Sequence, residues 1–194
     1  VSSEIEKLKA EAKKLETEIR SNPEFEKFID KIEITVTREG LRIELLENST
    51  GLFFDVGSAK LKPETVKLLK LVAIEVGHLK NKVMIEGYTD ARPYVNPDYT
   101  NWELSADRAN AARRILEQNG VGKGQIVQVR GFADRNLKHP EKPLDFGNRR
   151  VSILVATTEP KPSDTITPAA PAVTPQKQTV APASPEVAPK IEAK

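Results

Sequence analysis

The residue pattern predicts an α/β sandwich in which helices cover one face of a mixed β-sheet, with a helical segment before it and a disordered tail after it. Three observations carry this. Short runs place apolar residues at every second position, as strands with one buried face do. Two longer stretches repeat apolar residues at helical spacing. These runs alternate after an opening hairpin, the order expected when helices pack on a mixed sheet.

The elements follow in chain order. Residues 4–20, EIEKLKAEAKKLETEIR, set Ile5, Leu8, Ala12, Leu15 and Ile19 at 3-4-3-4 spacing, a narrow apolar seam on a charged helix. A lone helix of this length is marginal in water, so the seam must pack on a second copy or on its own domain. Asn22-Pro23 ends it, and PEFEKFID reads as a second short helix opened by proline. Residues 1–30 are therefore a helical linker and a possible dimerisation segment.

The period then changes to two. Ile32, Ile34 and Val36, then Leu41, Ile43 and Leu45, alternate with polar residues around Arg38-Glu39-Gly40, the pattern of a hairpin. A loop from Leu52 leads to a helix that Pro63 opens and that runs through Leu79. KVMIEGYT is a strand. Thr100 to Asn119 is a helix with a capping box, Thr100 with Glu103, and Gly120 as its stop. QIVQVRGF and RRVSILVA are the last strands, which closes a folded domain over residues 31–156. From Thr157 to Lys194 there is no aromatic residue, and eight of the 14 prolines fall there. Such a segment buries too little apolar surface to offset its ordering entropy, so a disordered tail is expected over 157–194.

Composition removes several function classes. The net charge is +2, with acids and bases nearly balanced and aromatic residues at 5%, so nucleic acid is not an expected partner. With no cysteine, disulfides, thiolate metal sites and cysteine nucleophiles go together. His78 and His139 lie in different elements, and no run has metal-ligand spacing. Ser58 and Lys60 fall one residue short of S-x-x-K, and GVGKG at 120–124 follows a helix instead of opening one. No catalytic constellation, metal site or cofactor is expected. No apolar run is long enough to span a bilayer and no signal peptide is visible. The start at Val1 predicts a fragment or processed form, with any anchor upstream.

One charge stands out. On a helix, Leu104, Ala111, Ala112, Ile115 and Leu116 share an arc, and Arg108 falls in its middle with no acidic neighbour at i±3 or i±4. Asn101 lies about 20° around the helix from Arg108, two turns earlier. The strand before the helix ends at Thr89-Asp90, so packing the helix beside it brings Asp90 towards Arg108. Two readings stay open. The pair is an internal salt bridge closing the loop, or acid and base together hold a zwitterionic ligand whose carboxylate takes the guanidinium fork.

GYTDARPY, TNWELSADRANAARRIL, VRGFAD and NRRVSILV together resemble the OmpA-like peptidoglycan-binding domain family, whose pattern is T-D, then N-x-x-L-S-x-x-R-A, then N-R-R. The resemblance runs from Phe54 to Val155 and implies a βαβαβ-type sandwich. Within the family, NWELSADRANA and FDVGSAKLKP are most similar to the flagellar-stator (MotB) branch. Pro93 stands where other branches commonly carry glycine. The resemblance implies a peptidoglycan stem peptide as ligand, recognised through diaminopimelate. Asp90 would accept from its ammonium and Arg108 bind its carboxylate. Thr89, Asn101 and Leu104 would shape the pocket, and Arg149 would line the rim. It further implies a periplasmic, non-enzymatic wall anchor, homodimeric and held at the inner membrane. A MotA-type ion-channel subunit and the flagellar basal-body P ring are the implied partners. An outer-membrane anchor of the Pal or OmpA kind is the alternative.

Overall fold

The structure is a computed structural model that describes residues 3–158. Helix α1 spans Ser3–Ser21, and a 3-10 segment follows over Pro23–Lys31. Then come β1 (Ile32–Thr37), β2 (Gly40–Leu46), α2 (Pro63–Leu79), β3 (Val83–Tyr88), α3 (Asn101–Gln118), β4 (Ile126–Gly131) and β5 (Arg150–Ala156). The expected elements are all present. The second short helix is 3-10 in place of α: Asn22 caps it through its side chain, and Pro23 opens it.

The strands form one sheet in the order β1-β2-β5-β3-β4. Only β3 and β4 run parallel, joined by the α3 crossover; the other pairs are antiparallel, so the sheet is mixed as expected. Its register stacks Ile43 on Ile153 and Ile153 on Ile85, and that face carries the core. Leu68, Leu69 and Val72 of α2, with Ala109, Ala112 and Leu116 of α3, pack into the same core.

Helix α1 docks on this chain. Leu8, Ala12, Leu15 and Ile19 are all buried in the core with Phe25, Phe28 and the β2 residues. Burying each large seam residue stabilises the docked helix by about 1.5–3 kcal/mol. Of the two readings of the seam, packing on the domain is the one realised, and a dimer built on this seam would need α1 to leave it. Thr157 and Thr158, which the expectation put in the tail, are tied back to the domain: the Thr157 amide donates to the Glu39 carbonyl at 2.9 Å, and the Thr158 amide donates to Glu4 at 3.0 Å. The rest of that segment lies outside the described residues. Among the described residues, no helix is long and apolar enough to cross a membrane.

Two glycines set how close α3 comes to the sheet. A methyl group on Gly87 would lie 1.9 Å from the Ser105 carbonyl oxygen, and one on Gly131 would lie 2.7 Å from the Ala106 amide. Their bare backbones let α3 rest on β3 and β4. The Ser105 hydroxyl, buried at that contact, accepts from the Ala133 amide at 3.0 Å. The site depends on this approach, because it brings the start of α3 beside the end of β3.

Candidate functional site

Four segments meet beyond the C-terminal end of β3. They are residues 54–58, the loop from Thr89 to Tyr94, the first two turns of α3, and Arg149 just before β5. Between them lies an open cleft of about 170 Å³, lined by Val56, Gly57, Thr89, Asp90, Arg92, Pro93, Tyr94, Leu104, Arg108 and Arg149. Five of the six residues singled out in the sequence line it.

Each wall has a local cause. The capping box starts α3 as expected, with Thr100 and Glu103 satisfying each other's backbone amides. The 89–100 loop is pinned from several sides. The Ala91 amide donates to the Pro143 carbonyl at 2.9 Å, the Thr89 amide to the Ala133 carbonyl at 2.8 Å, and the Tyr94 hydroxyl to the Gly57 carbonyl. Asn101 does not face the cleft. Its side-chain amide donates to the Arg92 carbonyl at 2.9 Å and holds the loop. Across the cleft, buried Glu47 accepts from the Leu52, Phe53 and Phe54 amides at 2.6, 3.0 and 2.9 Å, which fixes the 54–58 segment.

Asp90 and Arg108 share the cleft without pairing, so the internal Asp90–Arg108 salt bridge does not form. Asp90 Oδ2 accepts from Arg149 Nε at 2.5 Å and Arg92 Nη1 at 2.6 Å, and Oδ1 accepts from the Arg92 amide at 3.0 Å. Arg149 therefore does more than line the rim, because it is Asp90's inner partner. Arg92 and Arg149 both stack on Phe146, at 4.6 and 4.9 Å from the ring centre.

Arg108 is 4% exposed. Its Nε donates to the Ser58 carbonyl at 2.8 Å, and its guanidinium lies 4.9 Å from the Phe54 ring centre. No carboxylate stands within 4 Å of it among the described residues. Burial pulls its pKa down, Glu47 opposes this from a distance, and Arg149 adds to it. A cation buried so, on the wall of the cleft, has no anion beside it. The cleft as a whole sets three guanidinium groups against one carboxylate, an excess of positive charge in a confined space.

Sequence reading missed Arg92, Tyr94, Phe146 and Glu47. Arg92 is two residues from Asp90 and fits a turn closed by an aspartate side chain, a signal present in the sequence. Glu47 and Phe146 act from segments distant in the chain and gave no local signal. Among the described residues, no cluster of histidine and acidic side chains could hold a metal ion.

Comparison with known proteins adds four results to this geometry. The OmpA family model matches residues 53–150. Motility protein B of Escherichia coli K12 is 35% identical over 155 residues, 79% of this chain and 49% of that protein. A chain of the same organism, named as a truncated flagellar export/assembly protein LafU, is 39% identical over 135 residues, 70% of this chain and 63% of its own length. The chain thus spans roughly half to two-thirds of these relatives. In three dimensions it superposes on the periplasmic domain of Helicobacter pylori MotB with a TM-score of 0.57 at 22% identity, covering 66% of this chain and 89% of that one.

Proposed function

The chain belongs to the OmpA family, as a peptidoglycan-binding domain related to flagellar motility proteins, and on that premise we propose that its cleft anchors a flagellar stator to the cell wall. It binds without catalysis. The ligand is the stem peptide, gripped at diaminopimelate: Arg108 takes the carboxylate and Asp90 the ammonium, while Thr89 and Leu104 supply the walls. Asn101 and Arg149 act one step back, on the loop and on Asp90. The observation that carries this reading is Arg108, a buried guanidinium at a cleft wall with one carbonyl and no anion for a partner. A ligand carboxylate is the group it lacks, and each of two parallel charge-assisted hydrogen bonds would be worth about 1.5–3 kcal/mol.

Co-sedimentation with purified sacculi tests the site, with Asp90→Asn and Arg108→Ala beside the wild type and circular dichroism as the fold control. Both folded variants are expected to lose most of their binding. Retention at the wild-type level by both would remove the cleft from the account.

The stator assignment draws support from the similarity to motility protein B, which extends beyond residues 53–150 of the family match. On this reading the protein is periplasmic and held at the inner membrane, works as a dimer with a MotA-type channel subunit, and sits near the basal-body P ring. The alternative is an outer-membrane anchor of the Pal or OmpA kind. Grafting residues 3–158 in place of the matching part of E. coli motility protein B separates the two. Restored swimming supports the stator, whereas intact wall binding without swimming supports the outer-membrane anchor.

A further inference from the structure

Within that wall-binding reading, and resting on it, we propose that Arg92 is an internal stand-in for the ligand's ammonium: it holds Asp90 while the cleft is empty, and the diaminopimelate amine must displace it to bind.

The Asp90 side chain is 4% exposed, so any cation reaching it comes through the cleft. A carboxylate offers about four lone-pair positions. Three are in use: Arg149 Nε and Arg92 Nη1 on Oδ2, and the Arg92 amide on Oδ1. An ammonium gains most by pairing with both carboxylate oxygens, and only one position is open, so it competes with the donors already there.

The three donors are unequal. The backbone amide cannot leave, because the Arg92 carbonyl is tied to Asn101 at 2.9 Å and the neighbouring Ala91 amide to the Pro143 carbonyl at 2.9 Å. The Arg149 side chain is 21% exposed and the Arg92 side chain 40% exposed, which puts Arg92 on the solvent side of the carboxylate. Arg92 also has a resting place to keep. Its guanidinium already lies 4.6 Å from the Phe146 ring centre, and rotation off Asp90 leaves that stacking available. Displacement is then a side-chain rotation over a fixed backbone, and it requires no opening of the loop.

The consequence is a competition built into the site. Arg92 keeps the buried carboxylate neutralised in the empty protein and lowers apparent affinity for any ligand that brings its own cation. It sets a threshold that a free amine crosses and a blocked amine does not.

Isothermal titration with two probes tests this: an N-acetylglucosaminyl-N-acetylmuramyl tripeptide ending in diaminopimelate, and the same molecule acetylated on the diaminopimelate amine. The quantity read is the affinity for the free amine divided by that for the acetylated form. This ratio cancels the effect of the lost arginine on the carboxylates and sugars that the two probes share. Reading it again at high salt, which screens a distant field more than a contact, separates field relief from competition for Asp90. In Arg92→Ala it is expected to rise roughly threefold to fivefold over the wild type, the range of a half-exposed ion pair no longer in competition. Arg92→Gln, which keeps much of the stem packed on Phe146, is expected to do the same and guards against a loosened loop. An unchanged or smaller ratio in both variants overturns the proposal, because Arg92 would then be a bystander or part of the grip. Asp90→Asn separates the two levels. If it leaves the free-amine affinity intact, the wall-binding site itself is misassigned. If it abolishes the ratio while Arg92→Ala and Arg92→Gln leave the ratio at the wild-type level, only the stand-in fails.

Discussion

The cleft and the far face of the sheet both bury arginines, and they treat them in opposite ways. On the far face, register places Arg42, Glu44, Glu86, Tyr88, Arg150 and Ser152 on the side away from the helices. There every charge is answered. Glu86 accepts from Arg42 at 2.7 Å, Tyr88 at 2.8 Å and Arg130 at 3.2 Å. Glu44 accepts from Arg150 at 3.3 Å and Lys138 at 3.0 Å, and Arg150 also reaches two backbone carbonyls and lies 3.8 Å from the Tyr88 ring centre. Burial pulls the Arg150 pKa down, as it does for Arg108, but Glu44 and Tyr88 stand beside it to oppose this. Arg108 has one carbonyl. What sets Arg108 apart, and what the proposed binding role rests on, is therefore burial without an ionic partner and not burial alone.

That contrast makes predictions of decreasing effect on stability. Glu86→Ala should be the most damaging, because it strands Arg42 and Arg130 without their shared acid. A loss of about 3 kcal/mol in urea unfolding is expected, the low end for breaking a buried pair because Arg42 and Arg130 are partly exposed. Wall binding should stay intact in the folded fraction. A loss below 1 kcal/mol would show the far-face network to be decorative.

Gly87→Ala comes next, since its methyl group would strike the Ser105 carbonyl and lift α3 from β3. Overpacking of this kind costs about 1–3 kcal/mol. Unlike Glu86→Ala, it should also weaken sacculus binding, because it separates Arg108 from Asp90. Binding at the wild-type level would mean that the helix position does not set the site.

Arg108→Met should change stability least among the buried charges, by no more than about 1 kcal/mol in either direction. It removes a charge with no ionic partner and keeps an apolar stem against Phe54. Sacculus binding should nevertheless fall at least tenfold. If this variant unfolds like Glu86→Ala, the contrast between the two regions collapses.

The smallest effect concerns α1. Glu11 lies against Glu75 of α2, with Glu18 and Lys14 beside it on α1 and His78 near Glu75. Burial and the bond to Glu75 push Glu11 up to about 7, whereas the bonds from Glu11 and Lys14 hold Glu75 down against its own burial. Lys14 reaches Glu75 at 2.5 Å. A carboxyl raised in the folded state gives stability that is full below its unfolded pKa, near 4.5, and is lost as pH rises through 7. The protection of α1 amides from exchange, taken relative to the intrinsic base-catalysed rate, should therefore fall between pH 5 and about 7.5, and Glu11→Gln should flatten that dependence. Equal slopes in the two proteins would remove the acid pair from the docking of α1.

Much of this was legible in the chain. The 3-4-3-4 seam, the alternation in β1 and β2, Pro63, and the Thr100–Glu103 box each act through neighbours a few residues away, and each fixed an element close to its observed bounds. The gap in the apolar arc marked Arg108 for the same reason. Partner choice was not local. A helix pattern states that one face must be buried but not against what, so the seam left a second copy and the domain equally open, and only the packed core put α1 on β1 and β2. Asp90 and Arg108 could be brought to one rim by sequence spacing, yet Arg92 and Arg149 take the carboxylate. The reason is physical: hydrogen bonds and ion pairs are decided over distances of an ångström or less, whereas sequence periodicity resolves only which face a side chain is on.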